Sequence, residues 1–232
     1  MSQAIILLQA RMASSRLPGK VLAPIGARTL LAHCITRLLV GSAAPVMLAT
    51  TTSEEDDVLV AAATSYCVPV FRGPADDVLA RFVLAARSVG ARYVVRATAD
   101  NPLTDIDGPE RLLRQLRLSG ADHVIEAGLP YGAAVEAMTV DALNRAALQA
   151  TDPADREHVT PLIRRDRDRF TPLVIEAPLG VRRPELRLSV DTTEDLQFMR
   201  RIAARMHDWA GVPELAQAIR TIDALRAESM VA

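Results

Sequence analysis

Short apolar runs alternate with amphipathic segments along the first hundred residues of the chain. Four runs have the length of strands, at 4–8, 45–50, 68–71 and 92–98. The three segments between them have helical spacing, at 29–40, 53–66 and 76–89. Because the apolar runs are continuous rather than alternating, we expect strands that are buried on both faces. The pattern therefore predicts an α/β fold, with a doubly wound and mostly parallel sheet.

The pattern is less regular in the second half of the chain. It predicts further helices at 109–118, 141–149, 156–165, 192–205 and 212–228. It predicts further strands at 123–125, 171–177 and 186–190, with a turn at 128–132. No linker or low-complexity segment separates these elements. We therefore expect a single domain over residues 1–232.

Composition and charge narrow the class of protein. Half of the 232 residues are hydrophobic, about a quarter are charged, and the net charge is −1, which excludes a general basic surface for nucleic acid. There is no apolar stretch long enough to span a membrane, and the first residues lack the basic start of a signal peptide. Cys34 and Cys67 have no metal-type spacing. A cytoplasmic protein with reduced thiols and no membrane partner is expected.

The segment that follows the first predicted strand holds the sole lysine, Lys20, among 27 basic residues. It also supplies two arginines, two serines and a glycine: Arg11, Arg16, Ser14, Ser15 and Gly19. Guanidinium, hydroxyl and ammonium donors in one loop suit a polyphosphate. The loop is not a Walker A motif, because Val21 follows the lysine where Ser or Thr is required. A surface loop made basic by codon usage is the alternative.

Two aspartates follow predicted strands. Asp100 comes after the strand at 92–98, and Asp191 comes after the strand at 186–190. Ligands of parallel sheets bind outside the carboxyl ends of the strands, and Mg²⁺ prefers one or two carboxylates together with substrate phosphates. Each aspartate would also fit a turn or a helix cap. The sequence leaves open whether the two aspartates and the basic loop meet.

Residues 9–12 and 18–22 resemble the N-terminal signature of the sugar-acid cytidylyltransferases. The resemblance is to the spore-coat polysaccharide biosynthesis family, which is related to the acylneuraminate and Kdo cytidylyltransferases. Further matching segments follow in order: 71–73, 77–82, 96–103, Glu136, 156–161 and 190–196. The resemblance covers about residues 3–205 and leaves a C-terminal helical extension, 206–232, outside.

This resemblance implies a fold of the nucleotide-diphospho-sugar transferase (GT-A-like) type, CTP as donor, Mg²⁺ as cofactor and a small anionic acceptor, such as a sugar acid. It implies that Arg11 and Lys20 bind the triphosphate and that Asp100 and Asp191 hold the metal, with all four in catalysis. The nucleotide-binding residues that it implies are Gln9, Ala10, Arg11, Ser14, Ser15, Arg16, Lys20, Arg72 and Thr98. The residues that we expect on the acceptor side are Glu136, Arg156 and His158. A homodimer stays open.

Two other functions are compatible with such a loop. A GT-A glycosyltransferase would use a finished nucleotide sugar, but the stretch Ala99-Asp100-Asn101 lacks the Asp-x-Asp that is usual there. A non-catalytic nucleotide-binding subunit would be favoured if the loop or either aspartate were missing. Release of pyrophosphate from CTP distinguishes the cytidylyltransferase from both.

Overall fold

A computed structural model describes residues 3–41, 43–206 and 209–231. The first half alternates between strands and helices in the predicted order, with each end shifted by a few residues. Its elements are β1 (Ala4–Gln9), β2 (Pro24–Ile25), β3 (Arg28–Thr29), α1 (Leu30–Gly41), β4 (Val46–Thr51), α2 (Asp57–Ser65), β5 (Val70–Gly73), α3 (Val78–Ser88) and β6 (Tyr93–Thr98). The small hairpin of β2 and β3 was not predicted.

The second half departs from the predicted pattern at three places. Its elements are α4 (Gly108–Ser119), β7 (His123–Ala127), β8 (Glu136–Thr139), α5 (Val140–Gln149), α6 (Pro153–His158), α7 (Pro161–Arg165), β9 (Pro172–Glu176), α8 (Thr193–Arg205) and α9 (Leu215–Val231). The strand β8 was not predicted. The helix predicted over 156–165 is two short helices, and the strand predicted over 186–190 is absent.

Within the described residues, the main sheet has seven strands in the order β5-β4-β1-β6-β8-β7-β9. All of them run parallel except β8, which is antiparallel to both of its neighbours. Strand β1 lies in the interior of the sheet, where Ile6 pairs with Val46 of β4 on one side and with Val95 of β6 on the other. The predicted doubly wound, mostly parallel α/β sheet is confirmed.

The burial of strand β1 on both faces explains why its apolar run is continuous. Ile6 and Leu8 pack into the core under α1, α2 and α4, whereas Ile5 and Leu7 pack into the core under α3, α5 and α7. All four side chains are buried. A strand covered on both faces needs apolar residues at successive positions, as the sequence shows.

The helix predicted over 156–165 is interrupted at Val159. Its φ is +71°, and the amide of Thr160 donates to the carbonyl oxygen of His158 at 2.8 Å, so the three residues form a γ-turn. A β-branched residue at positive φ is strained, and such strain often occurs at functional sites. Pro161 then starts α7, because a proline has no amide to donate within a continuing helix.

The apolar residues at 186–190 are buried for a different reason from the strands. Leu186, Leu188 and Val190 pack into a third core with α8 and α9, and a single bridge joins Arg187 to Tyr131.

In the described residues, no helix has the length and apolar character needed to cross a membrane.

The final helix, α9, belongs to the third core. Ala218, Ile219 and Ile222 on this helix are buried. Arg37 of α1 is almost fully buried and donates hydrogen bonds to the carbonyl oxygens of Thr104 and Pro213, each at 2.7 Å. The segment before α9 therefore anchors the first helix of the sheet.

Candidate active site

Lys20 lies between the two aspartates that the sequence singled out. Its Nζ is 3.1 Å from Oδ2 of Asp100, 2.8 Å from Oδ1 of Asp191 and 2.8 Å from the carbonyl oxygen of Val190. The Lys20 side chain is only 11% exposed. The basic loop and the two acidic segments thus meet at the carboxyl edge of the sheet, which the sequence had left open.

Backbone geometry holds these three segments together. Gly19 adopts φ +69°, a left-handed conformation that glycine favours, and its amide donates to the carbonyl oxygen of Met12. The amide of Val190 donates to the carbonyl oxygen of Asp100 at 2.8 Å. This bond brings the Asp191 segment to the end of β6 although 186–190 is not a strand.

The cap of α8 is Thr192, not Asp191. The Thr192 hydroxyl accepts from the amide of Asp195, and the Asp195 carboxylate accepts from the Thr192 amide, which is a complete capping box. The Asp195 carboxylate also accepts from the amide of Asp191 at 2.9 Å. The side chain of Asp191 is therefore free of capping and faces Lys20.

Asp191 is surrounded by cations and remains ionised. Arg16 lies 2.9 Å from one carboxylate oxygen and Arg187 lies 2.5 Å from the other, in addition to Lys20. Burial raises the pKa of Asp191, but the hydrogen bond and charge of Lys20, with the charge of Arg16, lower the pKa overall. An ionised carboxylate that is only 7% exposed is suited to a cation-binding role.

Asp100 and Asp191 together fit a magnesium ion that also binds substrate phosphates. Within the described part of the chain, no group of three or more His, Cys, Asp or Glu side chains has metal-binding geometry. Mg²⁺ commonly uses one or two protein carboxylates and takes its other oxygens from phosphates and water. The two aspartates match that donor set.

Asp56 holds the loop that follows β1 at Met12, whereas Lys20 lies at the other end of the same loop. It accepts from the amide of Met12 at 2.7 Å and from the hydroxyls of Thr50 and Thr51 at the end of β4. Burial raises the pKa of Asp56, but the hydrogen bonds from Thr51, Met12 and Thr50 lower it overall. The sequence alone does not distinguish Asp56 from its neighbours, because it lies in the acidic run 54–57.

Arg11, the other predicted triphosphate ligand, makes an ion pair with Glu157 of α6 at 2.6 Å. Both side chains are about one-third exposed, at 35% and 34%. The sequence gave no sign of this partner, because Glu157 is 146 positions from Arg11. The guanidinium therefore lies at the open side of the loop, next to an acidic side chain.

A model of the family described as cytidylyltransferase matches residues 5–219. The chain belongs to the cytidylyltransferase family. The spore coat polysaccharide biosynthesis protein SpsF of Bacillus subtilis is 32% identical over 206 residues, which cover 86% of each chain. An uncharacterized protein of Methanocaldococcus jannaschii is 35% identical over 193 residues, 83% of this chain and 79% of that protein.

Solved structures agree with this assignment. A cytidylyltransferase from Leptospira borgpetersenii has a TM-score of 0.89 at 26% identity and covers 98% of this chain and 96% of its own. The CMP:2-keto-3-deoxy-manno-octonic acid synthetase complexed with CTP has a TM-score of 0.64 at 18% identity over 88% of this chain and 99% of its own, a likeness of fold. The predicted family is confirmed, and the protein is a CTP-dependent nucleotidyltransferase.

The other predicted nucleotide-binding residues of this cytidylyltransferase differ in their surroundings. Gln9 ends β1, and its side-chain oxygen is 3.5 Å from a guanidinium nitrogen of Arg96. Thr98 ends β6 and accepts from the side chain of Asn101 at 2.8 Å. The remaining predicted residues of the loop are a buried Ala10, a half-buried Ser14 and an exposed Ser15.

Arg72 lies on β5, which two strands separate from β6, and its guanidinium is occupied. It donates to the carbonyl oxygens of Thr51 and Ser53, at 2.9 Å and 2.7 Å, and to the carboxylate of Asp57 at 2.5 Å. The structure thus does not bring Arg72 to Lys20, Asp100 and Asp191, which together form the Lys20 cluster. Its contact with the nucleotide stays a prediction.

The three residues predicted on the acceptor side of the cytidylyltransferase do not form one cluster. Arg156 is bound to Asp77 at 2.5 Å and to the carbonyl oxygen of Ala150 at 3.1 Å, so it ties α6 to α3 and to the end of α5. His158 is exposed at the end of α6. The acceptor roles of both residues stay predictions.

Glu136, the third residue, lies inside the sheet rather than at its edge. It accepts from Nε2 of His123 at 2.7 Å and lies 3.3 Å from the Arg96 guanidinium. Burial raises the pKa of Glu136, but the His123 hydrogen bond and the Arg96 charge lower it to about 2. With Gln9, these residues form a polar row across β1, β6, β8 and β7 on the α3 face of the sheet.

Proposed function

We propose that the protein transfers CMP from CTP to a small anionic acceptor of the sugar-acid type and releases pyrophosphate. The observation that carries this proposal is the position of Lys20 between Asp100 and Asp191, at the carboxyl edge of the sheet. An ammonium group and two carboxylates at one point suit a triphosphate that arrives with a divalent cation.

In the proposed reaction, an acceptor hydroxyl attacks the α-phosphorus of CTP. The new bond joins the acceptor oxygen to phosphorus, the bond between the α-phosphorus and the bridging oxygen breaks, and the hydroxyl proton is released. Arg11 and Lys20 would bind the β- and γ-phosphates and stabilise the negative charge that develops on pyrophosphate. Mg²⁺, when bound by Asp100 and Asp191, would supply further charge neutralisation at the phosphates.

Lys20 and Arg11 both have to exchange partners for this role. Lys20 is bound to Asp100 and Asp191, and Arg11 is bound to Glu157. A triphosphate carries more negative charge than either set of carboxylates, so it would attract both side chains. When Lys20 turns to the phosphates, the two aspartates are left without its charge and their affinity for a divalent cation rises.

The proposed reaction belongs to a reducing compartment. In the described residues, Cys34 and Cys67 are both free thiols, and Cys34 is buried in the core. Free cysteines and a nucleoside triphosphate substrate support a cytoplasmic location.

The decisive experiment has two measurements. Thermal shifts with CTP, ATP, GTP and UTP in Mg²⁺ test the donor, and a ligand at one hundred times its dissociation constant adds about 2.7 kcal/mol of stability. Pyrophosphate release with CTP and a panel of 2-keto sugar acids then tests the reaction. We expect a preference for CTP and turnover with at least one acid. Equal shifts for all four nucleotides, or release of a nucleotide from a nucleotide sugar instead, would overturn the proposal.

A further inference from the structure

A cavity of about 370 Å³ lies beside β7, β9 and α7, away from the Lys20 cluster. Ile125 of β7 and Val174 of β9 give it an apolar wall, and Pro161 and Arg164 contribute from α7. Arg167 lies on the turn that follows α7. The floor includes His123, the first residue of β7.

His123 has a buried ring nitrogen without a partner. The side chain is 0% exposed, and its Nε2 is bonded to Glu136. Because the lowered pKa of Glu136 keeps that carboxylate ionised, Nε2 carries a proton and donates it. Nδ1 makes no hydrogen bond within the described residues. An orphaned polar atom of this kind is rare in a folded protein, and a ligand in the cavity would satisfy it.

Two guanidinium groups at the rim have no partner either. Arg164 and Arg167 are exposed, and neither makes an ion pair or a side-chain hydrogen bond with the residues that the structure describes. Their neighbour Arg165 is different, because it is paired with the buried Asp155. The cavity therefore combines two free cations, a ring nitrogen with an unused lone pair, and an apolar wall.

Two sets of contacts connect the cavity to the nucleotide loop. Along α6 and α7, Glu157 is bonded to Arg11, and Arg164 lies seven positions further on, beyond the strained turn at Val159. Across the sheet, the polar row runs from Gln9 through Arg96 and Glu136 to His123, which lines the cavity. The polar row therefore extends from the nucleotide loop to the cavity without interruption.

We propose that this cavity binds the carboxylate or phosphate group of a small molecule. The guanidinium groups of Arg164 and Arg167 would donate to the anionic oxygens, and a hydroxyl of the same molecule would donate to Nδ1 of His123, while Ile125 and Val174 pack against carbon. The anionic group has two chemical sources. It belongs to the acceptor, in which case the inference rests on the proposed function, or to a separate anionic metabolite that modulates the enzyme.

Direct binding is tested without turnover. Histidine ring ¹⁵N signals are followed during titration with inorganic phosphate and with gluconate, and the His123 signal is assigned with His123→Gln. We expect the Nδ1 signal to shift and to saturate. In the double variant Arg164→Ala with Arg167→Ala, the dissociation constant should rise by about ten-fold or more, since charge-assisted bonds are lost.

Arg114→Ala is the matched control, because Arg114 is an exposed residue of α4, on the other face of the sheet. The double variant changes only exposed side chains, so the test does not depend on the folding of the His123 variant. An Nδ1 signal that does not respond to either anion overturns the proposal. An equal affinity in the double variant and the wild type also overturns it.

Steady-state kinetics then distinguish the two sources. If the acceptor supplies the anion, the double variant raises the KM for the acceptor about ten-fold and leaves the KM for CTP unchanged, and phosphate competes with the acceptor. If a separate metabolite supplies it, both KM values are unchanged and phosphate alters kcat in the wild type only. Because the titration needs no substrate, a failure of the cytidylyl-transfer proposal would leave the binding result standing.

Discussion

Nζ of Lys20 lies 2.8 Å from Oδ1 of Asp191, although the two residues are 171 positions apart in the chain. The same nitrogen is 3.1 Å from Asp100. One ammonium group therefore holds the two carboxylates that we propose as the metal site. The predictions for these three residues follow from this shared contact.

Asp100→Asn and Asp191→Asn should each reduce turnover on the order of 10²-fold or more, because each removes a negative charge from the proposed metal site. The double variant should be barely worse than the worse single variant, since both residues serve one site. Pyrophosphate release at several Mg²⁺ concentrations measures this. Losses that multiply in the double variant would mean that the two aspartates act separately.

The two substitutions should differ in their effect on stability. Asp191 is bonded to Lys20, Arg16, Arg187 and Ser189, whereas Lys20 is the one side chain with which Asp100 forms an ion pair among the described residues. We expect Asp191→Asn to lower the free energy of unfolding by about 1–2 kcal/mol more than Asp100→Asn does. Urea denaturation without metal measures this difference. Equal losses would contradict the observed contact pattern.

Lys20→Met should lower kcat by about 10²- to 10³-fold, in line with the removal of a positioned charge at a reacting group. It should also make the melting temperature more dependent on Mg²⁺ than in the wild type, because the metal would then be the main cation for Asp100 and Asp191. Differential scanning calorimetry with and without Mg²⁺ measures this. Arg114→Met is the control on an exposed helix face, and a matching Mg²⁺ response in both variants would contradict the role of Lys20.

Glu157→Gln should strengthen CTP binding, because it releases Arg11 from its ion pair. Both side chains are about one-third exposed, so the pair contributes at most about 1 kcal/mol and the gain in affinity should be no more than about five-fold. Arg11→Ala should weaken binding by about ten-fold or more. Isothermal titration with CTP and Mg²⁺ measures both. If Glu157→Gln weakens binding, then Glu157 positions Arg11 instead of competing for it.

Glu136 should make the stability of the protein depend on pH in the acid range. Its folded-state pKa of about 2 lies below the ordinary value of 4.5, so its ionised form stabilises the fold above about pH 4.5, and this contribution is lost as the pH falls towards 2. Over that window the wild type should lose about 3 kcal/mol more than Glu136→Gln does. Chemical denaturation between pH 6 and pH 3 measures most of this difference. Parallel curves for the two proteins would show that Glu136 is not stabilised in its ionised form.

The sequence predicted a strand correctly where an apolar run is buried because it belongs to the sheet. The run at 4–8 is apolar because both faces of β1 are covered, and Asp100 follows β6 as expected. The run at 186–190 is equally apolar, but it is buried by α8 and α9 without joining the sheet. Periodicity cannot distinguish these two causes, since burial alone determines hydrophobicity.

Parts of the site depend on contacts between residues that are distant in the sequence, and a local sequence pattern does not indicate such contacts. Asp56 resembles its acidic neighbours in sequence, yet it alone turns inward and binds the first loop. Glu136, whose acceptor role stays a prediction, lies on a short antiparallel strand and pairs with His123, a contact that the sequence did not indicate. The strand was missed because its four residues include a charged residue and an alanine, which rarely mark a strand.

The buried contact of Arg37 with the carbonyl oxygen of Pro213 has a consequence for folding during synthesis. Helix α1 leaves the ribosome early, but the residues that close over it, up to Ile222, emerge only after all seven strands of the main sheet have been made. During translation, the guanidinium of Arg37 and the apolar side of the third core therefore lack their partners until that late segment emerges. A nascent chain stalled before residue 213 should therefore stay sensitive to proteases, and one extended past residue 222 with enough linker to clear the exit tunnel should become resistant.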